Sequence, residues 1–238
     1  MKKSIHPFAS LALMILGWIA VYALVQVCRP LLEAAIDPQT EMQKVALRLT
    51  GSAAFLWGSL AIALLVLRLS GETLADIGFR GRGAWPGWVL ALVIAALHVA
   101  MLSMGPLRHP GFATDWSLLR IYSSVIVATA AGVCEEGVFR GFVMTKLQQA
   151  RVPLVLQVMA SAILFGLAHA GWGFVSGEAN YMAAMGAMIS TSILGLLLAI
   201  CFALSKRSLW PVVVAHGVID LIEEPWLMIF AMTGGFGP

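Results

Sequence analysis

Three ionisable side chains, Glu135, Glu136 and Arg140, interrupt a stretch of sequence that is otherwise predominantly apolar. Apolar residues lead into them from 121 to 133 and resume at 141. A charged side chain near the centre of a bilayer costs roughly 3 kcal/mol or more, so such residues are rare and usually functional. The stretch therefore predicts a functional site inside a membrane-spanning helix.

The spacing of these charges assigns them different roles. On a helix, Glu136 and Arg140 stand four residues apart with the acid first, the order in which such a pair interacts best. Glu135 points about 100° away around the helix and has no local cation. We therefore predict a structural ion pair between Glu136 and Arg140, with Glu135 left available for chemistry.

Two further polar motifs lie in the apolar segments that follow. His169 ends the sequence Phe165-Gly166-Leu167-Ala168-His169. His216 and Asp220 stand four residues apart, so they share one face of a later helix. These three side chains are the candidates to complete a site around Glu135.

Helix geometry allows these side chains to meet. Glu135 lies seventeen residues before Val152, the centre of a predicted turn, and His169 lies seventeen residues after it. In an antiparallel hairpin both then lie at the same height, about 26 Å from that turn. His216 lies about 13 Å from its own turn at Arg207, and the first hairpin ends in a polar tail that can protrude from the membrane. All three can therefore converge in the cytoplasmic half of the bilayer.

The chemistry that this set allows is activation of water. A desolvated glutamate beside a histidine can take a proton from water, and a second imidazole with a carboxyl group can stabilise an oxyanion. Zinc is the alternative, because Glu135, His169 and His216 would form a catalytic set with an open fourth position. No His-Glu-x-x-His and no Gly-x-Ser-x-Gly sequence is present, which excludes a standard zincin and leaves no candidate serine nucleophile. We favour direct activation of water, because His169 has no carboxylate in its own helix to orient it as a metal ligand and because zinc would leave Glu136, already tied to Arg140, as the base.

The composition identifies the class of protein that holds this site. Of 238 residues 60% are hydrophobic and only 11% are charged, with a mean hydropathy of +0.90. A soluble domain carries far more charge, and a membrane β-barrel would show alternating polarity that is absent here. We predict an all-α, polytopic membrane protein with one integral domain over residues 1–238. The three cysteines, Cys28, Cys134 and Cys201, have no paired spacing and are expected to be buried small side chains.

The chain divides into about seven predicted membrane spans (six to eight) around a polar cavity. Arg29-Pro30 is expected to end the first span, and Glu223-Glu224-Pro225 to interrupt the seventh. The predicted spans cover residues 8–27, 45–69, 87–107, 117–144, 154–170, 181–204 and 211–222, the last followed by an uncertain segment from 226 to 232. Along the sixth span a small residue recurs every four positions, which predicts close packing against another helix.

The distribution of positive charge predicts the orientation. With the N-terminus in the cytoplasm, nine lysines and arginines lie on the cytoplasmic side and five lie outside. The nine are Lys2, Lys3, Arg68, Arg80, Arg82, Lys146, Arg151, Lys206 and Arg207. We therefore expect a cytoplasmic N-terminus, in the plasma (inner) membrane of a prokaryote.

The motifs together resemble a known family. The set Glu-Glu-x-x-x-Arg, Phe-x-x-x-His and His-x-x-x-Asn/Asp, on successive helices, is similar to that of the CAAX-protease and bacteriocin-processing (CPBP, or Abi) family of intramembrane endopeptidases, which includes the Ras-converting CAAX endopeptidase. The resemblance covers about residues 114–222, with a weaker similarity in the connector 74–80.

The resemblance implies a role for each residue. Glu135 and His169 would activate water, His216 and Asp220 would form the oxyanion site, and Glu136 with Arg140 would be the structural ion pair. Asp220 stands where the Ras-converting branch has asparagine, and an aspartate donates a hydrogen bond only when it is protonated.

The expected function follows from the residues and the resemblance together. We expect hydrolysis of a peptide bond near the cytoplasmic membrane surface, in a CAAX-like C-terminal peptide, a leader peptide or a membrane-anchored tag. The partners would be a hydrophobic or membrane-anchored substrate and the lipid bilayer, with no nucleic acid and no cofactor. The alternatives are a zinc-dependent form of the same protease and a non-catalytic membrane partner or transporter.

Overall fold

The computed structural model describes residues 5–104, 121–171 and 180–233, and every regular element in these ranges is helical. Seven helices follow one another, and the fourth is described from residue 121 to 149. We name them α1 (Pro7–Ile36), α2 (Glu41–Ser70), α3 (Trp85–Met104), α4 (121–149), α5 (Leu154–His169), α6 (Tyr181–Leu204) and α7 (Trp210–Thr233). The all-α class and the polytopic membrane architecture predicted from composition are confirmed.

The helices differ in how well they satisfy the length and hydropathy of a membrane span. Among the described residues, three helical segments do so in full: Pro7–Ile36, Met42–Ser70 and Tyr181–Leu204. Three apolar helical stretches are shorter, namely Trp85–Met101, Leu154–His169 and Trp210–Ile222. The predicted start of the fourth span at 117 and the predicted end of the third at 107 lie outside the described residues.

Two prolines that were expected to end or interrupt helices lie inside them. Helix α1 continues past Pro30 to Ile36, and α7 continues past Pro225 to Thr233, so both predictions are wrong. A proline removes one backbone hydrogen bond, which a long helix in an apolar environment tolerates when the bonds on either side persist. In α1 the apolar sequence resumes after Pro30, and Arg29 and Glu33 form a salt bridge of 3.5 Å across it.

Helix α4 departs from regular α-helical geometry. Three π-helical segments, Ser123–Ala128, Ala131–Glu135 and Gly137–Val143, precede a short α-helical segment, Met144–Gln149. A π-helix is wider than an α-helix because its hydrogen bonds run from i to i+5, and π-helical turns are frequent at functional sites. The height of about 26 Å predicted for Glu135 above the turn assumed the rise per residue of an α-helix, so the π-helical geometry changes that height. The side chains of Glu136 and Arg140 still lie side by side on the helix surface.

One end of the bundle, which we call the turn face, consists of the connector 71–84 and the turns at 150–153 and 205–209. The connector is pinned to the second turn, because Leu209 N donates to Gly78 O at 2.9 Å and Ala84 N donates to Ser205 O at 3.1 Å. Gly78 has φ 107°, and a Cβ there would lie 2.6 Å from the Arg207 carbonyl oxygen, so only glycine fits.

The C-terminal end of α4 is held by the same connector. Lys146 forms an ion pair with Glu72, and Gln149 donates to the same carboxylate. Only 1% of the Lys146 side chain is exposed. The sequence allowed this polar tail to protrude from the membrane, but its lysine is buried because Glu72 neutralises the charge.

Candidate active site

Three helices bring the predicted catalytic side chains together. The Glu135 Oε2 atom on α4 lies 3.8 Å from His169 Nε2 on α5 and 3.9 Å from His216 Nε2 on α7. Asp220 Oδ2, one turn further along α7, lies 3.3 Å from His216 Nε2. The four side chains predicted to do chemistry therefore form one cluster, although they are separated by up to 85 positions in the sequence.

The orientation of His169 is set by its own helix. Its Nδ1 atom lies 2.8 Å from the carbonyl oxygen of Phe165, one turn earlier in α5. A carbonyl oxygen only accepts, so Nδ1 carries the hydrogen. The lone pair of neutral His169 is then on Nε2, which faces Glu135.

The orientation of His216 is set by Glu136, a contact that the sequence did not predict. His216 Nδ1 lies 2.7 Å from Glu136 Oε1, and the carboxylate can only accept, so Nδ1 donates. His216 Nε2 is thereby turned towards Glu135 and Asp220. Sequence spacing assigned Glu136 one partner, Arg140, because a contact between α4 and α7 leaves no periodic signal.

The ion pair between Glu136 and Arg140 is present and buried. Arg140 Nη1 donates to Glu136 Oε1 at 2.8 Å, and both side chains are 0% exposed. Arg140 Nη2 donates to the Gly195 carbonyl of α6 at 3.1 Å, and the guanidinium lies 4.3 Å from the centre of the Phe165 ring of α5. One arginine therefore connects α4, α5 and α6 directly behind the cluster.

The cluster has a sealed side and an accessible side. Glu136 and Arg140 are fully buried, whereas Glu135, Asp220 and His169 keep 14%, 12% and 17% of their side chains exposed. Glu135 Oε2 has no hydrogen-bond partner among the described residues. This oxygen is itself buried, so a water molecule held between it and the two oriented imidazoles would supply the hydrogen bond that it lacks.

The same orientations bear on the zinc alternative. Metal-bound histidines usually donate their second N–H to a carboxylate or a carbonyl, and His216 and His169 each have one of these. The argument from sequence considered only carboxylates as partners for His169. In the structure the carbonyl oxygen of Phe165 is the partner of its second ring nitrogen. Around a tetrahedral zinc ion the ligand atoms stand roughly 3.3 Å apart, so separations of 3.8 and 3.9 Å would have to shorten by about half an ångström.

A close contact between α4 and α7 holds His216 at this position. A Cβ atom on Gly132 would lie 3.1 Å from the Cα and N atoms of Gly217 and from the Val213 carbonyl oxygen. These are backbone atoms, so a side chain at 132 would push α7 away from α4. The residue next to His216 would be displaced first.

We expect Gly132→Ala to lower the rate of peptide cleavage at least tenfold, because displacing a catalytic group by a fraction of an ångström is enough to disturb catalysis. The matched control is Gly186→Ala on α6, where an added Cβ meets no atom within 4 Å. Cleavage by both variants, purified in parallel with the wild type, measures the effect. Equal rates for the two variants would show that the Gly132 contact does not position the site.

Comparison with known proteins relates part of the chain to a protein family. Residues 116–222 match the family described as Rce1-like, Type II CAAX prenyl endopeptidase Rce1-like, and this range contains every side chain of the cluster. No curated protein and no solved structure matches the chain. The match confirms the family resemblance drawn from the three motifs, and it supports a membrane-embedded protease of the CAAX type. Residues 116–222 are therefore similar to the Rce1-like family of type II CAAX prenyl endopeptidases.

Proposed function

We propose that this protein hydrolyses a peptide bond with a water molecule activated by Glu135 and His169. The observation that carries the proposal is the position of Glu135 Oε2, within 4 Å of the Nε2 atoms of both histidines and without a hydrogen-bond partner among the described residues. A general base must lie within hydrogen-bonding reach of the proton that it removes, directly or through one water. A water between Glu135 and His169 meets this requirement.

The first step is attack by water on the scissile carbonyl carbon. Glu135 takes a proton from the water while the water oxygen bonds to the carbonyl carbon. The π electrons of the carbonyl group move to the carbonyl oxygen. His169 Nε2 accepts the second hydrogen bond of the water and orients it. The carbon–nitrogen bond then breaks, and the proton held by Glu135 passes to the departing amine, which restores the carboxylate.

The oxyanion of the intermediate is assigned to His216. With Glu136 accepting from Nδ1 and Asp220 accepting from Nε2, the ring is doubly protonated and positively charged. The Nε2–H can then turn its hydrogen bond from Asp220 to the oxyanion, where a preorganised donor is worth about 3 kcal/mol. In this scheme Asp220 orients the cation and is not itself the donor, which removes the requirement that this carboxyl be protonated.

The substrate that suits this site is a peptide with a membrane-anchored or hydrophobic segment. The polar cluster lies among helices whose outer surfaces are apolar, which favours a substrate that is itself held in or at the bilayer. The family match favours a CAAX-like C-terminal peptide, with a leader peptide or a membrane-anchored tag as further candidates. The positive charge on the turn face favours a cytoplasmic location for that end of the bundle.

A cleavage assay with and without a chelator tests the reaction and separates it from the zinc-dependent form. Purified protein in vesicles is given a prenylated peptide with a fluorescent C-terminal group, and release of that group is measured. We expect cleavage to continue in the presence of 1,10-phenanthroline, with zinc well below one equivalent by elemental analysis. Near-stoichiometric zinc, with activity lost on chelation and restored by zinc, would establish the metal-dependent reaction instead.

A further inference from the structure

A groove on the outer surface of the bundle lies between α5 and α6. Its volume is about 390 Å³, and every residue that lines it is apolar, among them Val155, Val158 and Met159 of α5 and Leu196, Ile200 and Ala203 of α6. Contact of such an apolar surface with water is unfavourable, so inside a bilayer the groove is filled by an apolar chain.

The two helices are packed closely between the groove and the catalytic cluster. A Cβ atom on Gly166 would lie 2.5 Å from the Met188 carbonyl oxygen, and one on Gly195 would lie 3.3 Å from the Ala162 Cα atom. Nearer the turn face the groove is lined by larger side chains, among them Leu154, Val158 and Ile200, together with Ala203. The tight region lies between the groove and His169, which is about 15 Å along α5 from Met159.

Two cations stand where the groove reaches the turn face. Arg151 precedes the groove residue Leu154 by three positions, and Lys206 follows the groove residue Leu204 by two. Both side chains are exposed, and neither forms a salt bridge within the described part of the chain. Their backbones are fixed in ordered turns with φ of 60° and 56°, where Arg151 N donates to Gln148 O and Lys206 N donates to Ala203 O.

The carboxylates of the turn face do not neutralise this pair. Glu72 is engaged by Lys146 and Gln149. Asp76 accepts hydrogen bonds from the side chain and backbone N–H of Thr73, and these bonds lower the pKa of Asp76 below its usual value. Because membrane helices end at the bilayer surface, we place these two exposed cations at the level of the lipid headgroups.

We propose that this groove binds one anionic phospholipid, with an acyl chain between α5 and α6 and the phosphate between Arg151 and Lys206. Basic sites between membrane helices recognise anionic headgroups, with about 1 kcal/mol from each lysine or arginine near the surface. The tightly packed helices between groove and catalytic cluster make this a site distinct from the one that holds the substrate.

The test measures lipid retention by the full-length protein. Wild-type protein in detergent is titrated with dioleoyl-phosphatidylglycerol or dioleoyl-phosphatidylcholine, and bound lipid is counted by native mass spectrometry. We expect preference for phosphatidylglycerol, and roughly thirtyfold weaker binding of it by the double variant Arg151→Gln, Lys206→Gln. The matched control, Arg68→Gln with Arg82→Gln, removes two exposed cations near the same end and should bind as the wild type does.

Two further measurements test the contributions of the acyl chain and of the headgroup separately. Ala203→Phe, or Ala203→Leu if the larger variant folds poorly, should fill the groove and weaken binding of both lipids, and sn-glycerol 3-phosphate without acyl chains should not bind. Equal affinity for the two lipids, equal loss in the control, or unchanged binding after the groove is filled would each overturn the proposal. Tighter binding of a neutral farnesyl-cysteine methyl ester than of phosphatidylglycerol would assign the groove to substrate and also overturn it.

Discussion

Glu135→Gln is expected to lower the rate of peptide cleavage by a factor of about 10³, the middle of the range for loss of a general base. The amide keeps the shape of the side chain but cannot take a proton from water. Membrane insertion and thermal stability should stay close to wild type, because the change removes a carboxylate whose Oε2 has no hydrogen-bond partner among the described residues.

The measurement is single-turnover cleavage by purified protein, with a thermal melt of the same sample. Glu33→Gln is the control, since Glu33 is a partly exposed glutamate on α1. A Glu135→Gln protein that retains substantial turnover would remove Glu135 from the role of base, whatever its effect on stability. Loss of activity with an equal loss of folded protein would point to a structural role.

Arg140→Ala is expected to have the largest effect on stability, about 3–5 kcal/mol, which is typical when one partner of a buried ion pair is removed. The change leaves Glu136 charged and 0% exposed, and it also removes the hydrogen bond to Gly195 and the contact with Phe165. Folded yield and activity should therefore fall together. Arg29→Ala is the matched control, because Arg29 and Glu33 form a salt bridge four residues apart with side chains 45% and 38% exposed. Such an exposed pair contributes about 0–1 kcal/mol.

The double variant Glu136→Gln, Arg140→Met should recover part of the yield, because it removes both charges of the pair and leaves neither one buried without the other. The glutamine Oε1 can still accept from His216 Nδ1, so His216 keeps its orientation in the double variant. Yield and melting temperature of the single and double variants, compared with Arg29→Ala, provide the measurement. An Arg140→Ala protein that inserts and melts like the wild type would show that the pair is not structural.

The sequence by itself determined the class of protein and identified the side chains that the structure brings together in one cluster. Low charge and long apolar segments force every backbone polar group to bond within a helix, so the all-α architecture follows from composition. Charges inside apolar sequence are costly enough to mark Glu135, Glu136 and Arg140 as functional without any coordinates. The helical period placed Glu136 beside Arg140 and His216 beside Asp220, and these local pairs are present at 2.8 and 3.3 Å.

Local reasoning was wrong where several neighbours act on one residue. Pro30 was predicted to end a helix and Pro225 to interrupt one. Both helices continue past these prolines, because the backbone hydrogen bonds on either side persist, and the sequence does not show those bonds. The α-helical period was applied to α4, whose π-helical geometry around the glutamates depends on its packing against other helices. The tail that ends α4 was expected only to be able to protrude from the membrane, and the partner that buries Lys146, Glu72, lies 74 positions earlier in the sequence.

Only the tertiary structure decided which atoms face one another. Equal height along two helices permits contact between Glu135 and His169, but rotation about each helix axis decides it. That rotation is set by close contacts such as Gly132 with Gly217 and Gly195 with Ala162. The contact of Glu136 with His216, 80 positions apart, fixes which ring nitrogen faces Glu135. No periodicity encodes such a contact, because it exists only once separate helices have packed and excluded both water and lipid from the space between them.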